Sequence, residues 1–156
     1  MASPFVSWGY WHDGRDNNGC HRFNWDAAED VIGKDMRRLV SAMNDIRWKN
    51  LALRSESLII THEDNFNRVL GFKRWSDDNL VLVVVNISDI NFKYHSYGVP
   101  TGSQYGQWTQ ILCTQDTAFG GWDGAGNAYY EPWTQEDGKI YINLPQWSIV
   151  VFRLKS

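Results

Sequence analysis

The chain has 156 residues, about one domain at the usual prior of roughly 100–200 residues each. Hydrophobic residues make 43% and charged residues 21%, a balance that supports a packed core and excludes intrinsic disorder. The net charge of -3 argues against a nucleic-acid partner, which needs clustered basic surface, and no apolar run approaches the ~20 residues of a membrane helix.

The start, Met1-Ala2-Ser3-Pro4, has no basic stretch followed by an apolar one, so no secretory signal is expected. Residues 1–28 carry Trp8, Tyr10, Trp11 and Trp25 around the turn-rich string Asp13-Gly14-Arg15-Asp16-Asn17-Asn18-Gly19. Neither helical nor strand periodicity persists there, which predicts a long loop; loops of such length in a compact domain are usually functional. From about Asp30 the pattern changes. Met36, Leu39, Val40, Met43 and Ile46 recur at helical spacing, predicting one amphipathic helix that ends near Asn50. Asp30 and Asp35 suit its positive N-terminal end, and Arg47 and Lys49 its last turn.

The remainder reads as about seven strands: 58–61, 69–75, 80–85, 92–97, 108–113, 140–143 and 148–154. The run 80–85 is continuously apolar and mostly valine, the pattern of a strand covered on both faces. The stretch 92–97 alternates aromatic and polar residues, so it should be half exposed. Turn residues punctuate the series at 76–79, 99–102, 136–138 and 144–145. The expected fold is therefore mainly β: an antiparallel sandwich of Greek-key type, preceded by a long loop and a single α-helix. The joint between helix and strands falls near residues 50–57.

Chemistry is sparse. Asp13, Asp16 and Asp26 sit among loop aromatics, where a glycosidase would keep its pair of carboxylates, but turn and cap roles explain them better. His12, His21, His62 and His95 form no triad or metal motif with their neighbours, and His62-Glu63-Asp64 reads as a surface turn. No metal, cofactor or catalytic residue is assigned. Cys20 and Cys113 lack zinc-ligand spacing; two reduced thiols in a cytoplasmic protein are the expectation, and a disulfide between them stays open. The glycine-rich stretch 119–127 has neither a following helix nor a Lys in register, so it is not a phosphate loop.

Nine Trp, seven Tyr and seven Phe are the outlier, and they fit a β-rich core, a sugar-binding surface or both. Trp75, Trp108 and Trp147 fall in or beside strands and are expected to be structural. Trp8, Trp11 and Trp25 lie away from any periodic segment and are the glucan-contact candidates; Trp122 is either a sugar platform or a lid over the core.

Several strings, taken in order, resemble a known family. Val83-Val-Val-Asn-Ile-Ser-Asp89, then Cys113-Thr-Gln-Asp-Thr-Ala-Phe-Gly-Gly121 with Gly126-Asn127, then Ile142-Asn-Leu-Pro-Gln-Trp-Ser-Ile-Val-Val-Phe152 are similar to the C-terminal all-β domain of 1,4-α-glucan branching enzymes and their α-amylase-superfamily relatives. Upstream, Phe23-Asn-Trp-Asp26, Arg37-Arg-Leu-Val-Ser-Ala-Met-Asn-Asp-Ile46 and Leu51-Ala-Leu53 resemble the last loop and last helix of the preceding (β/α)8 barrel. The continuation Gly120-Gly-Trp-Asp-Gly124 departs from the commoner form.

The resemblance implies a division into residues 1–50, the end of a truncated barrel, and 51–156, the sandwich. It implies an α-glucan substrate reached through a parent enzyme, glycogen- or starch-type synthesis, and a missing catalytic barrel as the main partner. Trp8, Trp11 and Trp25 would lie near the glucan cleft at the barrel's C-terminal face. No segment matches the motifs carrying the superfamily's catalytic Asp, Glu and Asp, so the chain alone should be inert. The competing expectations are a free-standing α-glucan-binding module and a protein-interaction sandwich. The helix's apolar stripe must be covered, so the isolated chain is expected either to self-associate through the helix or to fold the helix back onto the sandwich.

Overall fold

In the computed structural model, which describes residues 28–122 and 131–155, the chain forms one long helix and seven strands. The helix, α1 (Val31–Lys49), begins where Asp30 caps it: the carboxylate accepts the Gly33 amide at 2.6 Å. Arg47 and Lys49 stand in its last turn, beside the negative end of the helix dipole. Asn50 closes it, its Nδ2 donating to the Ile46 carbonyl at 2.7 Å. Asp35 lies beyond the first turn, paired with Arg38 at 2.7 Å. A short 3-10 turn, Leu51–Arg54, leads from the helix to the strands.

The strands are β1 (Leu58–Asp64), β2 (Val69–Ser76), β3 (Asn79–Asn86), β4 (Phe92–Pro100), β5 (Trp108–Cys113), β6 (Lys139–Leu144) and β7 (Ser148–Leu154). All pair antiparallel. Five form a sheet in the order β1-β2-β3-β7-β5, and β4 pairs with β6 in a second sheet. After β3 the chain passes back and forth between the sheets, and β7 inserts between β3 and β5. These are the crossing connections of a Greek-key sandwich.

The valine-rich run explains the layering. Leu82 and Val84 of β3 point inward, into a core shared with Val99 of β4, Trp108 of β5, Ile140 and Ile142 of β6 and Phe152 of β7. Val81 and Val83 point the other way, into a second core with Ala52, Leu112 and Val151. Leu39 and Ile46 of α1 pack onto this outer core. The strand lacks polar alternation because both of its faces are covered. Burial of one such side chain contributes about 1.5–3 kcal/mol. An exposed i,i+4 ion pair such as Asp45–Lys49, 2.7 Å apart, contributes only about 0.3–0.5 kcal/mol. The apolar stripe, rather than the charges, therefore sets where the helix lies. The helix is folded back onto the sheet through part of that stripe, Leu39 and Ile46, while Met43 stays exposed.

Two local expectations are corrected. His62-Glu63-Asp64 is the end of β1 rather than a turn, and the turn follows it: Asp64 accepts the Asn67 amide at 3.0 Å. The alternation expected at 92–97 breaks, because Tyr94 and His95 adopt left-handed φ values of 57 and 51 degrees. Asn143 of β6 holds that excursion by accepting the His95 amide at 2.8 Å. Tyr97 is then buried while Tyr94 projects into solvent.

Candidate functional site

The three C-terminal strings quoted from the sequence meet at one end of the sandwich. Asn86 is their hub. Its Nδ2 donates to the carbonyls of Ile90 and Pro145, each at 2.9 Å, and its Oδ1 accepts the Ser88 amide at 2.9 Å and the Ser88 hydroxyl at 2.7 Å. Every hydrogen-bonding position of this buried amide is used, which is what a polar group inside a core requires. Trp147 donates its amide to Ser88 at 3.1 Å, and Gln115 Nε2 reaches the Trp147 carbonyl at 3.2 Å. Thr114 Oγ1 accepts the Ile149 amide at 2.9 Å. These strings do architectural work: they tie the β3–β4, β5–β6 and β6–β7 connections together.

The string 113–121 also seats the helix. Asp116 caps a 3-10 turn, Thr117–Phe119, by accepting the Ala118 amide at 2.9 Å. Phe119 packs into the outer core beside Leu39. Gly120 turns the chain with φ 78 degrees, and a Cβ there would stand 2.5 Å from Asp35 Oδ2 on α1. A Cβ on Gly121 would stand 2.0 Å from the Gln115 carbonyl oxygen. Neither position has space for a side chain, so the paired glycines let backbone, turn and helix approach one another. Trp122 follows immediately and is 63% exposed.

The outer face is incompletely covered. Beyond the helix, Leu58 and Ile60 of β1 and Leu70 of β2 stand on the same side of the sheet as the outer core and remain exposed, Ile60 at 56%. On α1 itself Met43, in the apolar stripe, is 44% exposed, and Ile32 is more so. These exposed apolar residues of helix and sheet are the principal candidate site, and their chemistry is that of a docking face.

A polar tie links β1 to β4. Tyr97 donates its hydroxyl to Asp64 Oδ2 at 2.8 Å and lies 2.8 Å from His62 Nε2. Its single proton is committed to Asp64, so the neutral imidazole carries its proton on Nε2 and donates to Tyr97. Hydrogen bonds from Asn67, with a smaller one from Tyr97, hold the Asp64 carboxyl down at about 2. Burial pushes the His62 pKa below 6.5, opposed by Asp64 and reinforced by Lys139. Burial, helped by the bond to Asp64, pushes the Tyr97 phenol upward. Three groups locked to each other in this way form a fastening between strands. Among the described residues, no three His, Cys, Asp or Glu side chains are grouped to hold a metal ion. Nor is any helix among them long and apolar enough to cross a membrane.

Comparison with known proteins places this architecture. The family model described as "Alpha amylase, C-terminal all-beta domain" matches residues 59–155. The chain belongs to that family. It is 32% identical over 127 residues to the 1,4-alpha-glucan branching enzyme GlgB of Mycobacterium sp. (strain JLS), covering 74% of this chain and 16% of that protein. It is 24% identical over 161 residues to the GlgB of Cellvibrio japonicus, covering 99% of this chain and 21% of that protein. The chain thus spans about a fifth of the length of the curated relatives it matches. Among solved structures, the alpha-amylase from H.orenii matches with a TM-score of 0.53 at 17% identity, covering 94% of this chain and 25% of that one. AmyP, solved in complex with maltose, matches with a TM-score of 0.54 at 15% identity, covering 81% and 22%. At these identities the likeness is one of fold.

Within this α-amylase C-terminal domain, the residues singled out from sequence separate as follows. Trp8, Trp11 and Trp25, together with Asp13, Asp16, Asp26, His12, His21 and Cys20, lie outside the described residues. Trp122 stands in solvent, so of its two readings the lid over the core is not met. Trp108 is fully buried, as expected of a structural residue. Trp75 and Trp147 are not buried. Trp147 has φ 49 degrees in the β6–β7 turn, and Trp75 stands near the end of β2. Cys113 is buried at the end of β5. The sequence does not display the β1–β4 tie, because His62 and Asp64 meet Tyr97 only through the packing of one sheet against the other.

Proposed function

We propose that this chain is the non-catalytic C-terminal part of a 1,4-α-glucan branching enzyme. Residues 1–50 supply the last loop and helix of a (β/α)8 barrel, and residues 51–156 the sandwich that braces it. The parent cleaves an α-1,4 bond, holds the glucan as a covalent glycosyl-enzyme and transfers it to a 6-hydroxyl, in the cytoplasm, to build a glycogen- or starch-type polymer. Its substrate contacts include Trp8, Trp11 and Trp25 at the cleft, with Trp122 as an outlying sugar platform. The observation that carries the reading is the outer face. A helix docked by half of its stripe, with Ile60, Leu58 and Leu70 exposed on the same side of the sheet, leaves apolar surface that a larger body would cover. Membership of the family and the similarity to branching enzymes along the chain support the choice of that body.

The test is a chimera. The matching region of the Cellvibrio japonicus branching enzyme is replaced by this chain, and branching of amylose is followed by the fall in iodine absorbance. The chimera should branch, the enzyme cut short of that region should not, and the purified chain alone should be inert. Branching by the chain alone would overturn the assignment. The alternative, a free-standing α-glucan-binding module, is favoured by the exposed indole of Trp122. It requires that the chain bind maltooligosaccharides and that the chimera gain nothing from it.

A further inference from the structure

The β5 edge of the large sheet, the edge opposite β1 with its exposed Leu58 and Ile60, carries a feature outside the family strings. Residues 131–134 run antiparallel along that edge. Trp108 donates its amide to the Pro132 carbonyl at 2.9 Å, Thr134 donates its amide to Gly106 at 3.0 Å, and Gln107 and Trp133 form a bridge. The indole of Trp108 fixes the segment from the core side, Nε1 donating to Thr134 Oγ1 at 3.0 Å. Pro132 suits this place, since an edge segment needs few amide donors.

Pairing then dictates an array of side chains. Trp133 stands opposite Gln107, and Glu131 opposite Thr109, all on the face of β5 away from Trp108, which is the outer face of the large sheet. The Glu131 carboxylate accepts Thr109 Oγ1 and Gln107 Nε2, each at 3.1 Å, and the Lys155 ammonium at the end of β7. Lys155 foremost, with Thr109, holds the Glu131 carboxyl below its usual range. Beside this network the Trp133 side chain is 58% exposed.

We propose that Trp133, Glu131, Gln107, Thr109 and Lys155 form a saccharide subsite that takes a glucose unit of an α-1,4-glucan. An exposed indole offers a flat apolar face to the C–H side of a pyranose. The neighbouring carboxylate, amide, hydroxyl and ammonium supply donors and acceptors for vicinal sugar hydroxyls. The network pairs one negative with one positive charge, which suits a neutral ligand better than an ion. It is prearranged: Glu131 is held by three donors, and the backbone on either side of Trp133 is tied to β5, so little ordering is needed on binding. The choice of an α-glucan over other saccharides rests on the reading of this chain as part of a glucan-processing enzyme; the choice of site does not.

The test is calorimetric titration of the 156-residue chain with maltoheptaose and, separately, with cellohexaose. Maltoheptaose should bind and cellohexaose should not. Loss of the stacked ring in Trp133→Ala should weaken binding by about tenfold or more, and Trp133→Phe should restore part of it. Glu131→Gln, which keeps the shape, should weaken it by about tenfold. Trp147→Phe, elsewhere on the surface, should leave it unchanged. Near-ultraviolet circular dichroism of each variant separates lost binding from lost folding. Unchanged affinity in folded Trp133→Ala, or no binding by the native chain, would overturn the subsite while leaving the chimera result to judge the enzyme reading. Equal binding of cellohexaose would overturn the assignment to an α-glucan.

Discussion

Asn86 shows how one side chain does work that a motif only hints at. It satisfies two carbonyls and accepts two donors from two different connections, β3–β4 and β6–β7, all in a buried place. Asn86→Ala should destabilise the chain by about 3 kcal/mol, since several polar groups would be left buried without partners. Asn86→Asp keeps the volume but cannot donate to Ile90 or Pro145, so it should cost nearly as much. Urea unfolding of the two variants checks this; a mild Asn86→Asp would assign the effect to packing. At this scale the sequence was only partly legible. The strings at 83–89 and 142–152 were recognised, yet nothing in them says that Asn86 reaches Pro145 across the fold. Trp75 and Trp147 are exposed against expectation because proximity to a strand does not determine burial. Trp133 was passed over because its edge segment is too short to display a period.

The elements were far more legible than their contacts. All seven strands and the helix stand where periodicity and turn residues place them, since hydrophobic pattern and turn chemistry act locally. The breaks are long-range: the left-handed pair in β4 is held by Asn143, and the β1–β4 tie depends on how the two sheets pack face to face. That tie makes stability depend on pH. The folded pKa of His62 lies below 6.5, so its contribution is complete above that pH and fades as pH falls through it. Asp64, held at about 2 against an ordinary 3.8, adds a second loss at still lower pH. The urea midpoint should therefore drop between pH 8 and pH 5, and His62→Gln should drop less over that interval. Equal slopes in the two proteins would show that the imidazole is not part of the linkage.

The described residues form a two-sheet sandwich with two cores, one between the sheets and one beneath the helix. The inner core makes the fold self-consistent. The outer one is partial: Ile32 and Met43 on α1 and Ile60 on β1 remain exposed around it. Composition implied a core but not that there would be two; the valine run 80–85 was the sequence's one indication of a second covered face. The central claim is that these exposed residues are built to lie against a catalytic body. The most direct measurement is amylose branching by the chimera carrying Met43→Glu and Ile60→Glu, set beside the urea midpoint of the isolated chain with the same substitutions. The isolated chain should unfold as the native one does, while the chimera should lose most of its branching. A chimera that branches at full rate with both charges in place would contradict the account.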